Sequence, residues 1–402
     1  MTHSASPVQA WGAVFAMSLA AFALVSSEFM PVSLLTPIAT DLQVTEGQAG
    51  QALSISGAFA VLTSLLIPYL AGNLDRKRVI LCLTFLMLVS SVIVTFAPNY
   101  TVFMLGRALI GVAVGGFWSL SVSVAMRLVD KEHIPRALAI LNAGNALALV
   151  LAAPLGSFLG GLVGWRWAFF CLIPVAALTL AWKWISLPTL KAEPPVSGSR
   201  NLLKLLARPA VALGMAAMAL FFMGEFALFT YLRPFLEQEA HLSATGLSLI
   251  LLLMGVAGFF GTLWIGAFIN RGLYGTLAAI PALMAVIALL LMYVGHSMAL
   301  NVVLLGVWGL IATATPVGWW TWLARTLPKE AEAGGGLMVA VIQLAIMLGA
   351  TLGGVLFDVS GYQAAFGLAA LLLVAASVVT LWAARVATQA ASSHPAPELV
   401  LD

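Results

Sequence analysis

The stretch EFMPVSLLTP, residues 28–37, returns 197 residues later as EFALFTYLRP, residues 225–234. Glu-Phe opens both copies and proline closes both, while Ser33 and Leu35 return as Thr230 and Leu232. Each glutamate lies inside a long apolar stretch, where an ionisable group is expensive and marks a functional site by default. A doubled intramembrane acid at half the chain's length implies two similar halves. It also points to moving a proton, or holding a polar solute, inside a membrane.

Composition sets the class. Of 402 residues 62% are hydrophobic and 8% charged, against roughly a quarter charged in soluble domains. A bilayer can absorb that much apolar surface and a soluble core cannot. The net charge of +3 is small and scattered, which argues against a nucleic-acid partner. Cys82 and Cys171 both fall in apolar segments and offer no disulfide framework. Met1 to Ala10 carries no Lys or Arg, and the first apolar run is too long for a signal-peptide core, so that run reads as the first span.

A helix needs about 20 mainly apolar residues to cross the hydrocarbon core. Twelve segments qualify, starting near residues 11, 47, 79, 101, 137, 166, 209, 245, 275, 299, 333 and 361. The longest polar gap, with Pro194-Pro195 and Ser197-Gly198-Ser199, divides them six and six. The expected organisation is an all-α integral membrane protein: a six-helix bundle over 1–187, a cytoplasmic loop over 188–208, a second bundle over 209–388 and a polar tail over 389–402. With the amino terminus inside, fifteen of the eighteen Lys and Arg residues face the cytoplasm, Arg76 to Arg78 and Lys183 among them. Only Arg166 and Arg233 fall outside, and Arg107 lies within a span. Gly164-Trp165 is echoed by Gly361-Tyr362, again 197 residues on, and Asp75-Arg76 by Asn270-Arg271. Two parallel six-helix halves around an axis along the membrane normal place a solute site between them near the midplane.

Several motifs carry a resemblance. Ala71-Gly72-Asn73-Leu74-Asp75-Arg76-Lys77-Arg78 resembles the loop signature between spans two and three of the major facilitator superfamily, with Ala71 where glycine is usual and two residues fewer after Arg76. Arg107 with Gly111 and Gly115 resembles the span-four signature of its proton-coupled members. Gly144 followed by Ala153-Pro154 and Gly156 resembles the span-five signature of antiporters. The chain therefore resembles the twelve-span drug:proton antiporters. Four longer strings, residues 28–41, 115–128, 152–165 and 316–325, are most similar to the bacterial purine ribonucleoside efflux pumps, in which a neutral polar residue is expected where this chain has Glu225. The resemblance implies a proton-coupled efflux antiporter for purine ribonucleosides such as inosine and guanosine, and purine base analogues. It implies alternating access in a bacterial inner membrane, with both termini cytoplasmic. A sugar or multidrug:proton antiporter of the same fold is the alternative.

Glu28 reads as the proton carrier and Arg107 as its partner, in an ion pair that opens and closes. A hydrogen-bonded structural acid and a static brace are the plainer readings. Glu225 is either a second proton site or an acceptor for substrate hydroxyl and amino groups. Trp118, Phe226, Phe229, Trp319 and Trp320 offer faces on which a purine could stack, though most such residues in membrane helices pack or anchor. Asn145, Thr230 and Gln343 offer mid-span hydrogen bonds to substrate or to other helices. Asp75, Arg76 and Arg78 are expected to gate the cytoplasmic face, and Gly144, Pro154 and Gly156 to shape a bendable fifth span.

Uptake by symport and a membrane-embedded enzyme are the rivals. The sequence has no phosphate loop, G-x-S-x-G elbow, H-E-x-x-H pair or Cys/His metal cluster. No catalytic or metal residue and no cofactor beyond the coupling proton is expected. The partners expected are a small solute, protons and lipid, around a monomer.

Overall fold

The computed structural model describes residues 7–72, 74–191, 202–327 and 330–392. Its helices in the first half are α1 (Pro7–Ser33), α2 (Leu35–Leu42), α3 (Glu46–Ala71), α4 (Arg76–Thr95), α5 (Tyr100–Arg127), α6 (Ile134–Val163), α7 (Trp165–Phe170) and α8 (Leu172–Ser186). Those of the second are α9 (Pro209–Phe229), α10 (Leu232–Gln238), α11 (Ala244–Arg271), α12 (Leu273–Val294), α13 (Met298–Ala312), α14 (Thr315–Thr326) and α15 (Ala331–Ser392). Among the described residues, eleven helical stretches are long and apolar enough to cross a membrane. The last is two spans joined at Gly361, whose φ of +77° interrupts the helix, so the chain crosses twelve times.

Gly164, between α6 and α7, has φ +94°. A Cβ at either glycine would meet nothing within 4 Å, so backbone conformation rather than space requires glycine there. The echo at 164 and 361 is thus one turn built twice. Short breaks missed in the hydropathy pattern also appear: α7 gives way to α8 at Cys171, and α13 to α14 just before Pro316. Within the expected central loop, Leu202–Ala207 forms a 3-10 helix, and residues 192–201 lie outside the described residues. The final helix runs on to Ser392, past the expected boundary at 388, and residues 393–402 of the expected tail lie outside the described residues.

The halves meet along two seams, α3 against the first part of α15 and α6 against α11. Fastening is confined to one end and the middle. At the end away from Arg76, the Asp358 carboxylate accepts from the Thr45 hydroxyl at 2.5 Å and from the Gly47 N–H at 2.9 Å, capping α3 from the other half. The Arg233 guanidinium donates to the Ser33 carbonyl, and the Ser157 hydroxyl donates to the Ala244 carbonyl. Nearer the middle, the Thr351 hydroxyl meets Ser54 at 2.8 Å and Gln51 at 3.2 Å. From Gln343 to the basic end, no hydrogen bond between described residues joins the halves.

Candidate transport site

The repeated segment is where both bundles break. Proline has no N–H, so the carbonyl four residues earlier loses its helical donor. Pro31 frees the Ser27 carbonyl and Pro37 that of Ser33; Pro234 does the same to Thr230. The chain answers with one pattern in both halves. Leu34 N–H bonds Pro31 O at 3.0 Å and Ile38 N–H bonds Leu34 O at 3.0 Å; Tyr231 N–H bonds Leu228 O at 3.1 Å and Phe235 N–H bonds Tyr231 O at 3.3 Å. In the first half the Ser33 hydroxyl covers the Met30 carbonyl at 3.0 Å.

Each of two buried arginines takes one freed carbonyl, Arg107 that of Ser27 and Arg233 that of Ser33. Arg107 is fully buried; its Nη1 donates to Ser27 O at 2.6 Å, Nη2 to Glu28 O at 2.7 Å, and Nε to Ala52 O at 3.2 Å. The guanidinium therefore clamps backbone of α1 and α3, and among the described residues it makes no ion pair with the Glu28 carboxylate. That is the brace geometry. Below it on α5, a Cβ at Gly111 would stand 2.2 Å from the Ser56 carbonyl and one at Gly115 2.2 Å from that of Ala60, so α3 and α5 touch backbone to backbone.

Glu28 is 3% exposed, and its Oε1 accepts from Gln343 Nε2 at 3.2 Å across the join of the halves. The next residue, Phe29, stacks on Phe226, its repeat counterpart, with ring centroids 5.4 Å apart. Phe229 meets the edge of Phe226 at 6.0 Å. Glu225 is half-buried and makes no hydrogen bond or ion pair among the described residues. The structure thus brings together Glu28, Gln343, Phe226 and Phe229.

The other expected residues divide. Half-buried Asn145 has no hydrogen-bond partner among the described residues and remains available to a ligand. Thr230 is buried, its hydroxyl donating to the Phe226 carbonyl at 2.6 Å. Trp118 is half-buried against Phe117 at 5.5 Å. Trp319 is buried edge-on to Trp322 within the second bundle, and Trp320, 44% exposed, lies beside Gly335. Gly144 and Gly156 press α6 onto α1, where a Cβ would stand 2.0 Å from the Ser18 carbonyl and 2.6 Å from the Ser33 hydroxyl. Pro154 frees the Val150 carbonyl, and Gly255 of the other half sits against it. Asp75 caps α4 through the Lys77 N–H at 2.8 Å and also holds the Leu190 N–H at 3.0 Å. Arg76 bonds Leu190 through its backbone, and Arg78 is exposed. These contacts stay within the first half.

Three residues escape sequence reasoning. Lys183 is not at the cytoplasmic surface but fully buried, its Nζ 3.0 Å from the Thr84 hydroxyl and 4.9 Å from the centre of the Phe117 ring. Arg233 is 6% exposed and links Glu237 to the Ser33 carbonyl. Gln343 is expected to meet substrate, but nothing in the sequence announces its contact with Glu28. Prolines 31 and 37 hold the signal for the two arginine contacts, since each marks a carbonyl in need of a donor.

A model of the Major Facilitator Superfamily matches residues 17–335. The chain is 57% identical over 389 residues to the transcription regulatory protein OpdE of Pseudomonas aeruginosa, covering 96% of this chain and 97% of that one. It is 40% identical over 369 residues to the purine ribonucleoside efflux pump NepI of Salmonella enteritidis, covering 92% and 93%. With NepI of Salmonella typhimurium it shares 41% over 370 residues, at the same coverage.

Proposed function

The chain belongs to the major facilitator superfamily of membrane transporters, and we propose that it is a proton-coupled antiporter exporting purine ribonucleosides such as inosine and guanosine. The observation that carries this reading is the buried Glu28 of one half, hydrogen-bonded to Gln343 of the other across their join. A titratable acid on that join feels both its solute and its partner half. The likeness to pumps of printed nucleoside specificity supplies the substrate class.

The basic end faces the cytoplasm of a bacterial inner membrane, with both termini there. Asp358 and Arg233 hold the outer end shut, and solute loads from the inside in a state that opens at the basic end. A proton arriving from outside neutralises Glu28 and releases solute; the halves rock, the proton leaves inward, and the site reloads. Glu225 and Asn145 accept the polar edges of the solute, and Phe229 offers it a face. Asp75, Arg76 and Arg78 refasten at the basic end when it closes, while Gly144, Pro154 and Gly156 keep α6 close to α1 through the motion. One proton exchanged for a neutral nucleoside moves one charge. Each 100 mV contributes about 2.3 kcal/mol and each pH unit about 1.4 kcal/mol. The protein works as a monomer.

Inverted vesicles carrying a pH gradient test this with labelled inosine, guanosine, a sugar and a cationic drug. Gradient-driven inosine accumulation that disappears in Glu28→Gln is expected. Transport that ignores the gradient, or survives that substitution unchanged, removes the coupling; movement of the drug or sugar alone removes the nucleoside.

The name of the 57% identical relative favours a second reading, an effect on transcription. A pump exerts one without touching DNA by changing the cytoplasmic level of a solute that a regulator senses. An expression change that persists in a transport-dead Glu28→Gln strain refutes that link.

A further inference from the structure

Gln343 is 6% exposed; its Nε2 donates to Glu28, while its Oε1 is buried with no hydrogen-bond partner. A buried acceptor left unmatched is costly and calls for a donor. A primary amide carries donors on one side and an acceptor on the other, and its terminal torsion has two broad, roughly equivalent settings. The carboxyl it faces has no such balance. Ionised, Glu28 can only accept, so it takes the N–H side and leaves Oε1 buried without a donor. Protonated, it has a hydrogen to give, and the oxygen is the side that receives it.

We propose that Gln343 is the switch through which proton and solute exclude one another, presenting the solute with an acceptor while Glu28 is ionised and with a donor once Glu28 is protonated. This deepens the transport reading above and rests on it. The solute recognised is neutral and brings an N–H, as the lactam N–H of hypoxanthine and guanine does. When Glu28 gains a proton the amide turns over, and that N–H meets another N–H instead of an oxygen.

The charged groups on the elements around Glu28 are otherwise engaged or of the same sign. Arg107 on α5 holds the Ser27 and Glu28 carbonyls, Arg233 on α10 holds Ser33 and Glu237, and Lys183 on α8 holds Thr84. Glu225 on α9 adjoins Phe226, which stacks on Phe29. The α3 and α6 faces present Ser56, Gly144 and Gly156. Asp41, Glu46, Arg76 to Arg78, Arg127 and Arg136 lie at or near helix ends. Gln343 is thus the one uncharged side chain bonded to the Glu28 carboxylate among the described residues.

Calorimetric titration of the purified full chain in nanodiscs, across a pH series, tests this with inosine and with 1-methylinosine, which lacks the lactam N–H. The wild-type Kd for inosine is expected to rise about tenfold per pH unit on the acid side, as reciprocal exclusion by one proton requires. It should also bind inosine at least tenfold tighter than the methylated analogue at alkaline pH, with the preference lost in acid. Gln343→Met should bind both alike, with Kd moving less than twofold per pH unit. A wild-type preference that persists in acid overturns the switch without recourse to any variant. So does a tenfold slope retained in Gln343→Met. If wild type binds inosine at no pH, the nucleoside reading falls and the inference falls with it; a pH-independent inosine affinity overturns the switch alone.

Discussion

Arg107→Met should be rescued by Pro31→Ala. If Arg107 serves chiefly as the donor that Pro31 removed, restoring the backbone N–H at position 31 must recover part of what the guanidinium supplied. Removing Arg107 strands the Ser27 carbonyl and takes a second donor from the carbonyls of Glu28 and Ala52, which keep the helical N–H groups of Val32 and Ser56. A buried unsatisfied acceptor costs about 1–3 kcal/mol, so the substitution should cost at least that much. Pro31→Ala gives Ser27 its helical donor back, so the coupling between the two substitutions is about 1–3 kcal/mol. For a chain of this length that corresponds to about 1–4 °C in apparent Tm. The assay is a double-mutant cycle on thermal unfolding in detergent, followed by tryptophan fluorescence. Glu28→Gln serves as control, because a residue paired to that carboxylate would be rescued there instead. Effects that add to within about 0.5 kcal/mol, or rescue by Glu28→Gln alone, would refute the carbonyl account.

Other substitutions probe the clasp and the seams. In Asp358→Asn one of two charge-assisted bonds to α3 is lost, worth about 1–2 kcal/mol at this exposed site, so the open-to-closed ratio at that end should rise about five- to thirtyfold. Spin labels at Gln43 and Gln238 would report it as a longer distance, and an unchanged distribution removes Asp358 from the clasp. Gly144→Ala sets a Cβ 2.0 Å from the Ser18 carbonyl, and the forced separation of α6 from α1 should cost about 1–3 kcal/mol, read as a lower Tm. Lys183→Met keeps the bulk while removing an ammonium held by one hydroxyl and a ring face, and is expected to hold or raise Tm; a clear fall would mean that the ammonium has a stronger partner.

Hydropathy reveals the twelve crossings because their length and composition are local properties. The echo of Gly164 in Gly361 goes further, since a positive φ is written in the residue itself. Helix starts shift by only a few residues, as at α4, which begins at Arg76 rather than near 79. Hydropathy cannot say where a buried cation points. Lys183 lies in the last turn of α8, where counting suggests the surface, yet packing turns it inward to Thr84. Arg107 is legible as costly but not as a donor to carbonyls, because its acceptors are backbone atoms with no letter in the sequence. Trp319 reads as a stacking face for solute, yet its ring is taken up by packing on Trp322.

Phe29 and Phe226 are the same position of the repeat, and they touch. Contact between equivalent positions occurs only on a twofold axis, where one surface meets its own copy. Such a contact is self-complementary: one residue type satisfies both sides, and an ancestor made of two identical half-chains would already possess it. Off the axis every contact needs two different partners. Arg233 finds Ser33, while Thr36, at the counterpart of Arg233, has a buried hydroxyl without a partner. The stacked rings mark where the axis relating the two halves passes.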